Sequence, residues 1–346
     1  MADPGSVNPT VLVTGGSGYL AGWCIADLLE KGYAVRTTVR TPARETEVRA
    51  AVAKQTPADG IEFFTADLLS DDGWADAVAG CKHVLHVASP FPPTQPKDPD
   101  ELIVPAREGT LRVLKAALAA GAERVVVTSS IAAVDRQPGD HSGRKLTEDD
   151  WTDGDSPKVS PYARSKTIAE RAAWDLVDES GDRNRLATVN PGAILGPLLT
   201  ADRSFSIQMV ERMLKGEPAV PKLGFNVVDV RDIASLHVAA MTAPEAGGHR
   251  HIGVARFAWM AEVAQTLREQ LGDEAKKVPK RTAPNFLIKT LGLFDGSVRS
   301  IVPQLGVKTE YSAERAKTEL GWQPRPVEES VVDCARSLIE LGVVES

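Results

Sequence analysis

The chain has little cysteine, few aromatic residues and no apolar run long enough to cross a membrane. Among its 346 residues there are 3 cysteines, and aromatic side chains make up 5% of the total. Cys24, Cys81 and Cys334 lie far apart and lack the spacing of metal ligands, so we expect neither a disulfide framework nor a cysteine metal site. No run of about 18 apolar residues is present, which excludes a predicted membrane-spanning helix.

An excess of positive charge is also absent. The formal net charge is −7 and no basic tract is evident, so a nucleic-acid-binding protein is not expected. Residues 1–10 contain no hydrophobic signal core, which argues against export and, with the unpaired cysteines, favours a cytoplasmic protein. His83 and His86 face opposite sides of a predicted strand, and His249 and His251 have no visible third partner. No metal is therefore predicted.

What the sequence does contain is an alternation of β-prone and helical segments up to residue 128. Such an alternation predicts βαβ units and a parallel sheet with helices on both faces. The predicted fold class is α/β, a Rossmann-type doubly wound parallel sheet with a smaller C-terminal substrate lobe. The predicted strands are 10–14, 33–39, 61–65, 82–87 and 124–128, and the predicted helices are 19–31, 43–55, 71–78 and 100–120.

The alternation breaks after residue 190. Glycine and proline punctuate the stretch 191–226, two strand-like runs follow, and a helical pattern resumes at 257–271. We interpret part of this region as a smaller lobe that closes over the site, while other segments return to the main sheet. The predicted division is 8–190 for a dinucleotide-binding Rossmann domain, with returning segments at about 226–254, and 191–225 and 255–346 for the substrate-binding lobe and C-terminal helices.

A glycine-rich turn lies between the first predicted strand and the first predicted helix. Residues 14–21 read TGGSGYLA. Gly15 and Gly18 let the backbone approach a pyrophosphate, and the helix that follows supplies oriented N–H groups. Ala21 occupies the third small position, which the dinucleotide fingerprint allows. A tight connection is the alternative interpretation, but the position between a strand and a helix favours a nucleotide site.

The second predicted strand carries arginines where a NAD enzyme usually has an acid. Between residues 33 and 44 there is no Asp or Glu, whereas Arg36, Arg40 and Arg44 are present. Arg40 ends the strand and can contact a 2′-phosphate, although an ordinary surface arginine is the alternative. The missing acid favours NADPH over NADH. Asp67, after the third strand, fits either an adenine contact or a helix cap.

Tyr162 and Lys166 stand four residues apart in a helical segment, which places both on one helical face. Alone, this spacing is more typical of a solvated helix, but here it follows a strand that ends in Ser129 and Ser130. Strand alternation turns these two serines to opposite faces. A lysine ammonium about 4 Å from a phenol contributes roughly 4 kcal/mol at an effective dielectric constant of about 20, which lowers the tyrosine pKa by at most about 3 units. An acidified phenol and a serine hydroxyl can serve a carbonyl that receives a hydride.

Together these motifs resemble those of the extended short-chain dehydrogenases/reductases. The most similar branch contains dihydroflavonol reductase, cinnamoyl-CoA reductase and aldehyde reductase, and the resemblance covers most of the chain. The resembling segments are residues 13–20, 32–40, 67–68, 86–90, 127–130, 147–151, 162–166, 190–192, 229–232 and 320–322.

The resemblance implies a catalytic triad of Ser130, Tyr162 and Lys166, with hydride transfer from nicotinamide C4 of NADPH. It selects Ser130 rather than Ser129 as the donor to the carbonyl oxygen. In plant flavonoid reductases an Asn commonly follows the catalytic serine by five positions, whereas this chain has Asp135. A general aldehyde or ketone is therefore favoured over a flavonoid. The cofactor contacts that the resemblance implies are Gly15, Gly18, Tyr19, Leu20, Arg40, Asp67, Leu68, Ala88, Lys166 and Pro191.

Three functions are compatible with these residues. We expect an NADPH-dependent reductase of a small-molecule carbonyl substrate, acting as a monomer or homodimer. A nucleotide-sugar epimerase or dehydratase on the same fold is the first alternative, although no site for a second nucleotide is evident in 195–226. A non-catalytic NADP-binding sensor is the second alternative, although sensors can lose the tyrosine and lysine that this chain keeps.

Overall fold

The computed structural model describes residues 9–90, 98–135, 143–201 and 204–344. The strands are β1 (Thr10–Val13), β2 (Ala34–Val39), β3 (Glu62–Thr65), β4 (His83–His86), β5 (Arg124–Thr128), β6 (Leu186–Pro191), β7 (Ala193–Leu195), β8 (Gly224–Asp229), β9 (Arg250–Gly253) and β10 (Arg256–Trp259). Seven of them form a parallel sheet in the order β3-β2-β1-β4-β5-β6-β9. The order reverses between β1 and β4, as in doubly wound nucleotide-binding folds. The predicted fold class is confirmed.

Helices cover both faces of this central sheet. The helices of the described residues, on this sheet and beside it, are α1 (Tyr19–Glu30), α2 (Glu45–Val52), α3 (Trp74–Val78), α4 (Asp100–Ala119), α5 (Pro161–Ser180), α6 (Phe205–Lys215), α7 (Val230–Thr242), α8 (Met260–Leu271), α9 (Asn285–Leu291), α10 (Gly296–Ile301), α11 (Glu314–Leu320) and α12 (Val327–Glu340). Helix α1 packs against α7, and α4 packs against α5. Each pair buries its apolar side in a separate core cluster, with Ile25 and Ile233 in one and Leu114 and Trp174 in the other.

Helix α5, which carries Tyr162, has clear start and stop signals in its sequence. Ser160 Oγ accepts a hydrogen bond from the Ala163 N–H at 3.2 Å, and Pro161 occupies the first helical position. A serine cap followed by proline is a strong start signal, since the serine hydroxyl accepts from an unpaired N–H group of the first turn and proline has no N–H that needs a partner. Gly181 ends the helix with a φ of 74°. These end signals place Tyr162 in the first turn, at the carboxyl edge of the sheet.

A second, three-stranded sheet lies in the region predicted to contain the smaller lobe. Its middle strand β8 pairs with β7 in parallel and with β10 in antiparallel orientation. Strand β9, in contrast, joins the central sheet beside β6. The helical pattern predicted at 257–271 becomes helix only from Met260, because β10 pairs with β8 before that point. The proposed domain boundaries stay a prediction.

Three features of the described residues bear on membranes, metals and redox state. No helix among them has the length and apolarity needed to span a bilayer. They contain no group of three or more His, Cys, Asp or Glu side chains that could hold a metal ion. Cys24, Cys81 and Cys334 are all buried free thiols.

Candidate active site

The glycine-rich turn joins the end of β1 to the start of α1. Gly15 has a φ of 72°, a conformation that residues with a side chain rarely adopt. A Cβ on Gly15 would lie 2.9 Å from the Cβ of Ala88. The Gly18 N–H donates to the Gly15 carbonyl at 2.9 Å, and Gly18 directly precedes the first turn of α1. The turn is thus a cradle without side chains at a helix N-terminus, which fits a pyrophosphate.

Two threonines that the sequence analysis did not single out hold this turn. Thr14 Oγ1 accepts hydrogen bonds from the Val87 and Ala88 N–H groups at 3.1 and 3.0 Å. The Gly15 N–H donates to Thr38 Oγ1 at 2.9 Å. These hydroxyls tie the turn to β2 and to the loop after β4. A threonine at or next to the end of a strand was the sequence signal for this role.

Tyr19 and Leu20 begin helix α1, with side chains directed into the protein. Tyr19 Oη donates to the Gly196 carbonyl at 2.9 Å, and Leu20 is buried. Burial raises the pKa of Tyr19 well above its usual value, so this phenol stays protonated. The predicted cofactor contact of these two residues therefore falls to their backbone N–H groups, which lie in the first helical turn.

Arg40 lies directly beyond β2, and its side chain is exposed. Arg36, inside the strand, has an acidic partner, with its Nε 2.7 Å from Glu62. Arg44 has one as well, with its Nε 2.9 Å from Glu47. Arg40 differs from both because it directly follows the last residue of β2. Its contact with a 2′-phosphate stays a prediction.

Three other predicted cofactor residues lie at strand ends. Asp67 follows β3, and its Oδ1 accepts a hydrogen bond from the Leu69 N–H at 2.9 Å. This bond stabilises a local turn rather than a helix end, because α3 begins only at Trp74 and its N-cap is Gly73. Asp67 is therefore not the helix cap that was the alternative. The Leu68 carbonyl accepts a hydrogen bond from Arg112. Pro191 is the last residue of β6 and is buried. Contacts of Asp67, Leu68 and Pro191 with the cofactor stay predictions.

The three predicted catalytic residues converge from two elements. Ser130 follows β5, and its hydroxyl lies near enough to the Tyr162 phenol to lower the pKa of that phenol. One turn further along α5, Lys166 Nζ donates to Ser89 Oγ at 2.9 Å and to the Thr128 carbonyl at 3.5 Å. Ser130 and Lys166 are 8% and 9% exposed, so the site is largely shielded from water. The structure therefore brings the triad together, while the role of each member stays a prediction.

Ser129 points away from this site, as strand alternation requires. Its Oγ donates to Glu170 Oε2 at 2.5 Å on the opposite side of the strand end. Glu170 is a buried carboxylate on α5 that the sequence analysis missed. Its position, four residues after Lys166, was the available signal.

Asp135 is exposed five residues beyond Ser130. Its backbone N–H donates to Thr152 Oγ1 at 2.7 Å. Tyr311 Oη donates to Asp135 Oδ1 at 3.5 Å, which brings a C-terminal residue close to the position that differs from the flavonoid branch. The pair therefore connects the segment after Ser130 to the C-terminal part of the chain.

The comparison with known families agrees with this geometry. The family described as "NAD dependent epimerase/dehydratase family" matches residues 11–255. The chain belongs to this family. The match includes the glycine turn, the triad and the last strand of the central sheet.

The relatives that align over most of their length are reductases. Cinnamoyl-CoA reductase CAD2 of Medicago truncatula is 36% identical over 335 residues, which is 95% of each chain. An anthocyanidin reductase ((2S)-flavan-3-ol-forming) of Vitis vinifera is 33% identical over 75% of this chain and 80% of its own. The crystal structure of Gre2 from Candida albicans in complex with NADPH has a TM-score of 0.79 and 26% identity, over 96% of this chain and 99% of its own. The predicted membership of the extended short-chain dehydrogenases/reductases is confirmed.

In this extended short-chain dehydrogenase/reductase, burial sets the protonation of the triad. Burial raises the pKa of Tyr162, and the hydrogen bond with Ser130 opposes this rise. Burial also lowers the pKa of Lys166 to about 8, against the opposing charge of Glu170. We expected Lys166 to lower the pKa of Tyr162. Burial prevails at the phenol, and a lowering of its pKa by Lys166 stays a prediction.

Proposed function

We propose that this chain is an NADPH-dependent carbonyl reductase that converts an aldehyde or ketone to an alcohol, with Tyr162 as the proton donor. One observation carries the proposal: the Ser130 hydroxyl lies near enough to the Tyr162 phenol to lower its pKa, with Lys166 one helical turn away. Two hydroxyl groups held this close can both reach one carbonyl oxygen.

The coarser part of this function is established. The chain is an NADP-dependent oxidoreductase, because it belongs to a dinucleotide-dependent family and its relatives of similar length are reductases. A protein with the same fold and 26% identity has been solved with NADPH. The predicted enzyme class and the predicted cofactor, NADPH, are therefore confirmed.

The residues of the described structure fit this cofactor. Gly15 and Gly18 leave a cradle that a Cβ would fill, and the N-terminus of α1 directs N–H groups toward it. We assign the 2′-phosphate to Arg40, because a guanidinium binds phosphate through charge-assisted hydrogen bonds. We assign the remaining contacts to Tyr19, Leu20, Asp67, Leu68, Ala88, Lys166 and Pro191.

The triad divides the chemistry among three side chains. When bound, the cofactor supplies a hydride from nicotinamide C4 to the carbonyl carbon. Ser130 donates a hydrogen bond to the carbonyl oxygen as negative charge grows there. Tyr162 gives its phenolic proton to the same oxygen, and because burial raises its pKa, the proton is in place near pH 7. Lys166 stabilises the phenolate that remains and holds the ribose hydroxyls.

The substrate class rests on Asp135. An acid stands where the flavonoid branch commonly has an amide, so we propose a general aldehyde or ketone as the substrate. We also propose a cytoplasmic location, because the three cysteines are buried free thiols, as expected in a reducing compartment.

A nucleotide-sugar epimerase or dehydratase is the second candidate, because the matching family carries that description. A panel of aliphatic aldehydes, aryl aldehydes, β-keto esters and thioesters, assayed with NADPH and with NADH, separates the two. We expect loss of NADPH absorbance with at least one carbonyl class. Silence across the panel, together with turnover of a UDP- or TDP-sugar, would overturn the proposal. Silence toward both substrate groups with retained NADPH binding would instead indicate the sensor.

A further inference from the structure

A buried ion pair lies directly behind the catalytic pair. Glu170 stands one helical turn beyond Lys166 on α5 and is 1% exposed, and Arg250 projects from β9 and is 6% exposed. Arg250 Nε lies 2.7 Å from Glu170 Oε1. Removing two charges from water carries a desolvation penalty, and the loss of either partner leaves the other uncompensated. An ion pair buried this close to the reacting groups is therefore a candidate for a functional role.

The Glu170 carboxylate is held from three strands. Oε2 accepts hydrogen bonds from Ser129 Oγ at 2.5 Å and from Asn190 Nδ2 at 2.8 Å. Oε1 accepts from Thr188 Oγ1 at 2.9 Å and from Arg250. Burial alone would raise the pKa of Glu170, but Arg250 and these hydrogen bonds hold it below its usual value. The carboxylate is therefore ionised and has little freedom to move.

Arg250 also reaches the segment that carries the catalytic serine. Its Nη2 donates to the Ala133 carbonyl at 3.2 Å, in the helical turn that follows Ser130. Its Nη1 donates to the carbonyls of Glu148 and Asp150 at 2.8 and 2.7 Å. The Arg250 guanidinium thus connects three parts of the protein: the turn that follows β5, the segment that precedes α5, and Glu170 on α5.

The other groups that face Lys166 carry no negative charge. His86 of β4 is neutral, because burial and the nearby Lys166 charge lower its pKa to about 3. Ser89 and the Thr128 carbonyl are uncharged hydrogen-bond partners, and Tyr162 on the same helix is protonated. Glu170 is thus its acidic neighbour.

We propose that Glu170 and Arg250 are a positioning pair for the active site. Glu170 supplies a fixed negative charge behind the Lys166 ammonium, while Arg250 immobilises both that carboxylate and the turn after Ser130. The inference rests on the proposed function for the roles of Tyr162 and Lys166. Its consequence is that Lys166 keeps its charge to a higher pH than its burial alone would allow.

Glu170→Gln tests the proposal, because the amide keeps the shape of the side chain and removes the charge. Without that charge the Lys166 ammonium is less stable, so the basic limb of the kcat/KM profile should move to lower pH by about one unit. Asp178→Asn is the matched control. Asp178 lies on the same helix as Glu170, and it forms an exposed ion pair with Arg183, which follows the helix. It should leave the limb in place. A basic limb at the wild-type pH in Glu170→Gln would overturn the proposal, however large the fall in turnover.

A second readout does not depend on turnover. In protein labelled with 13C- and 15N-lysine, the signal of Lys166, assigned with Lys166→Arg, reports the protonation of its amine directly. The titration midpoint should fall in Glu170→Gln and stay unchanged in Asp178→Asn. If the wild-type chain reduces no carbonyl, the proposed function fails while this titration still decides the electrostatic role of Glu170.

Folding is controlled separately, because Glu170→Gln leaves Arg250 buried without its ionic partner. The double variant Glu170→Gln/Arg250→Met removes both charges with similar side-chain volumes, so no buried charge is left uncompensated. It should show an acidward movement of the Lys166 titration that is smaller than in Glu170→Gln, because the more distant positive charge of Arg250 is removed as well. Arg250→Lys keeps the charge but loses the planar fork, and should lower kcat with little change in the basic limb. A Lys166 midpoint equal to wild type in the double variant would also contradict the proposal.

Discussion

The glycine turn and the catalytic triad lie at the same edge of the sheet, yet different physical effects shape them. The turn depends on the absence of side chains, since a Cβ on Gly15 would meet Ala88 at 2.9 Å. The triad depends on burial, with a raised pKa at Tyr162 and a lowered pKa at Lys166. Steric changes at the turn should therefore damage cofactor binding, whereas the loss of a hydroxyl group at Ser130 or Tyr162 should damage turnover and spare binding.

Tyr162→Phe should show the largest effect, because it removes one hydroxyl group from the catalytic triad. Loss of the proton donor should lower kcat by about 10²–10⁴-fold, while NADPH affinity stays near the wild-type value. Steady-state rates and a fluorescence titration with NADPH check the two parts. Tyr33→Phe, at a partly buried tyrosine packed on the core, is the control. A variant that retains most of its turnover would remove Tyr162 from the mechanism.

Gly15→Val should weaken NADPH binding at the glycine turn. The residue needs a φ of 72°, so the substitution forces either strain or a displaced turn, at a cost of about 1–3 kcal/mol. That corresponds to roughly a 5- to 150-fold weaker affinity for NADPH, measured by the same titration. Gly60→Val is the matched control, because a Cβ there meets nothing within 4 Å. Unchanged NADPH affinity in Gly15→Val would place the pyrophosphate elsewhere.

Arg40→Ala sharpens the comparison by testing charge at the cofactor end. Losing a charge-assisted contact with the 2′-phosphate costs about 1.5–3 kcal/mol, so the preference for NADPH over NADH should fall by about 10- to 100-fold. The ratio of kcat/KM values for the two cofactors measures this. Arg44→Ala should leave the ratio unchanged, since Arg44 is paired with Glu47. Equal behaviour of the two variants would argue against the assignment.

The pH dependence of kcat/KM in the wild-type protein reports the protonation of Lys166. Lys166 loses its charge as pH rises through its pKa of about 8, whereas Tyr162, with a raised pKa, is still protonated there. We therefore expect kcat/KM to be level near neutral pH and to fall above about pH 8, by up to tenfold per unit. The profile is recorded at fixed ionic strength with saturating NADPH. A profile that stays level to about pH 10 would contradict this view of Lys166.

Tyr19→Phe should have the smallest effect. It removes the hydrogen bond from Tyr19 to the Gly196 carbonyl, which connects α1 to the segment after β7. The free energy of unfolding should fall by about 1 kcal/mol, measured by denaturant titration, with NADPH affinity retained. A large loss of affinity would show instead that the phenol takes part in binding.

Much of the first half of the fold could be predicted because its signals are local. The predicted helix 19–31 is observed as Tyr19–Glu30 and the predicted helix 100–120 as Asp100–Ala119. Apolar periodicity and bounding glycines mark such elements within one stretch of chain. The later strands were harder to place, since β8 and β9 are both short strand-like runs in the sequence but pair in different sheets.

The residues of the site divide in the same way. The spacing of Tyr162 and Lys166 indicated a catalytic pair and the family resemblance added Ser130, but neither revealed that burial would raise the phenol pKa. Glu170 and Arg250 escaped notice because eighty positions separate them along the chain. No local pattern records a partner that far away.

Order along the chain was thus enough to specify a dinucleotide turn, a serine at a strand end and a tyrosine with its lysine in the next helix. These features depend on the spacing of residues that are close together in the sequence, and such local spacing fixes which side chains share a helix face or end a strand. Only the packed molecule decided which strand lies at the edge, which acid stands behind the lysine and how readily each group ionises. Those outcomes depend on desolvation and on charges that meet across distant segments.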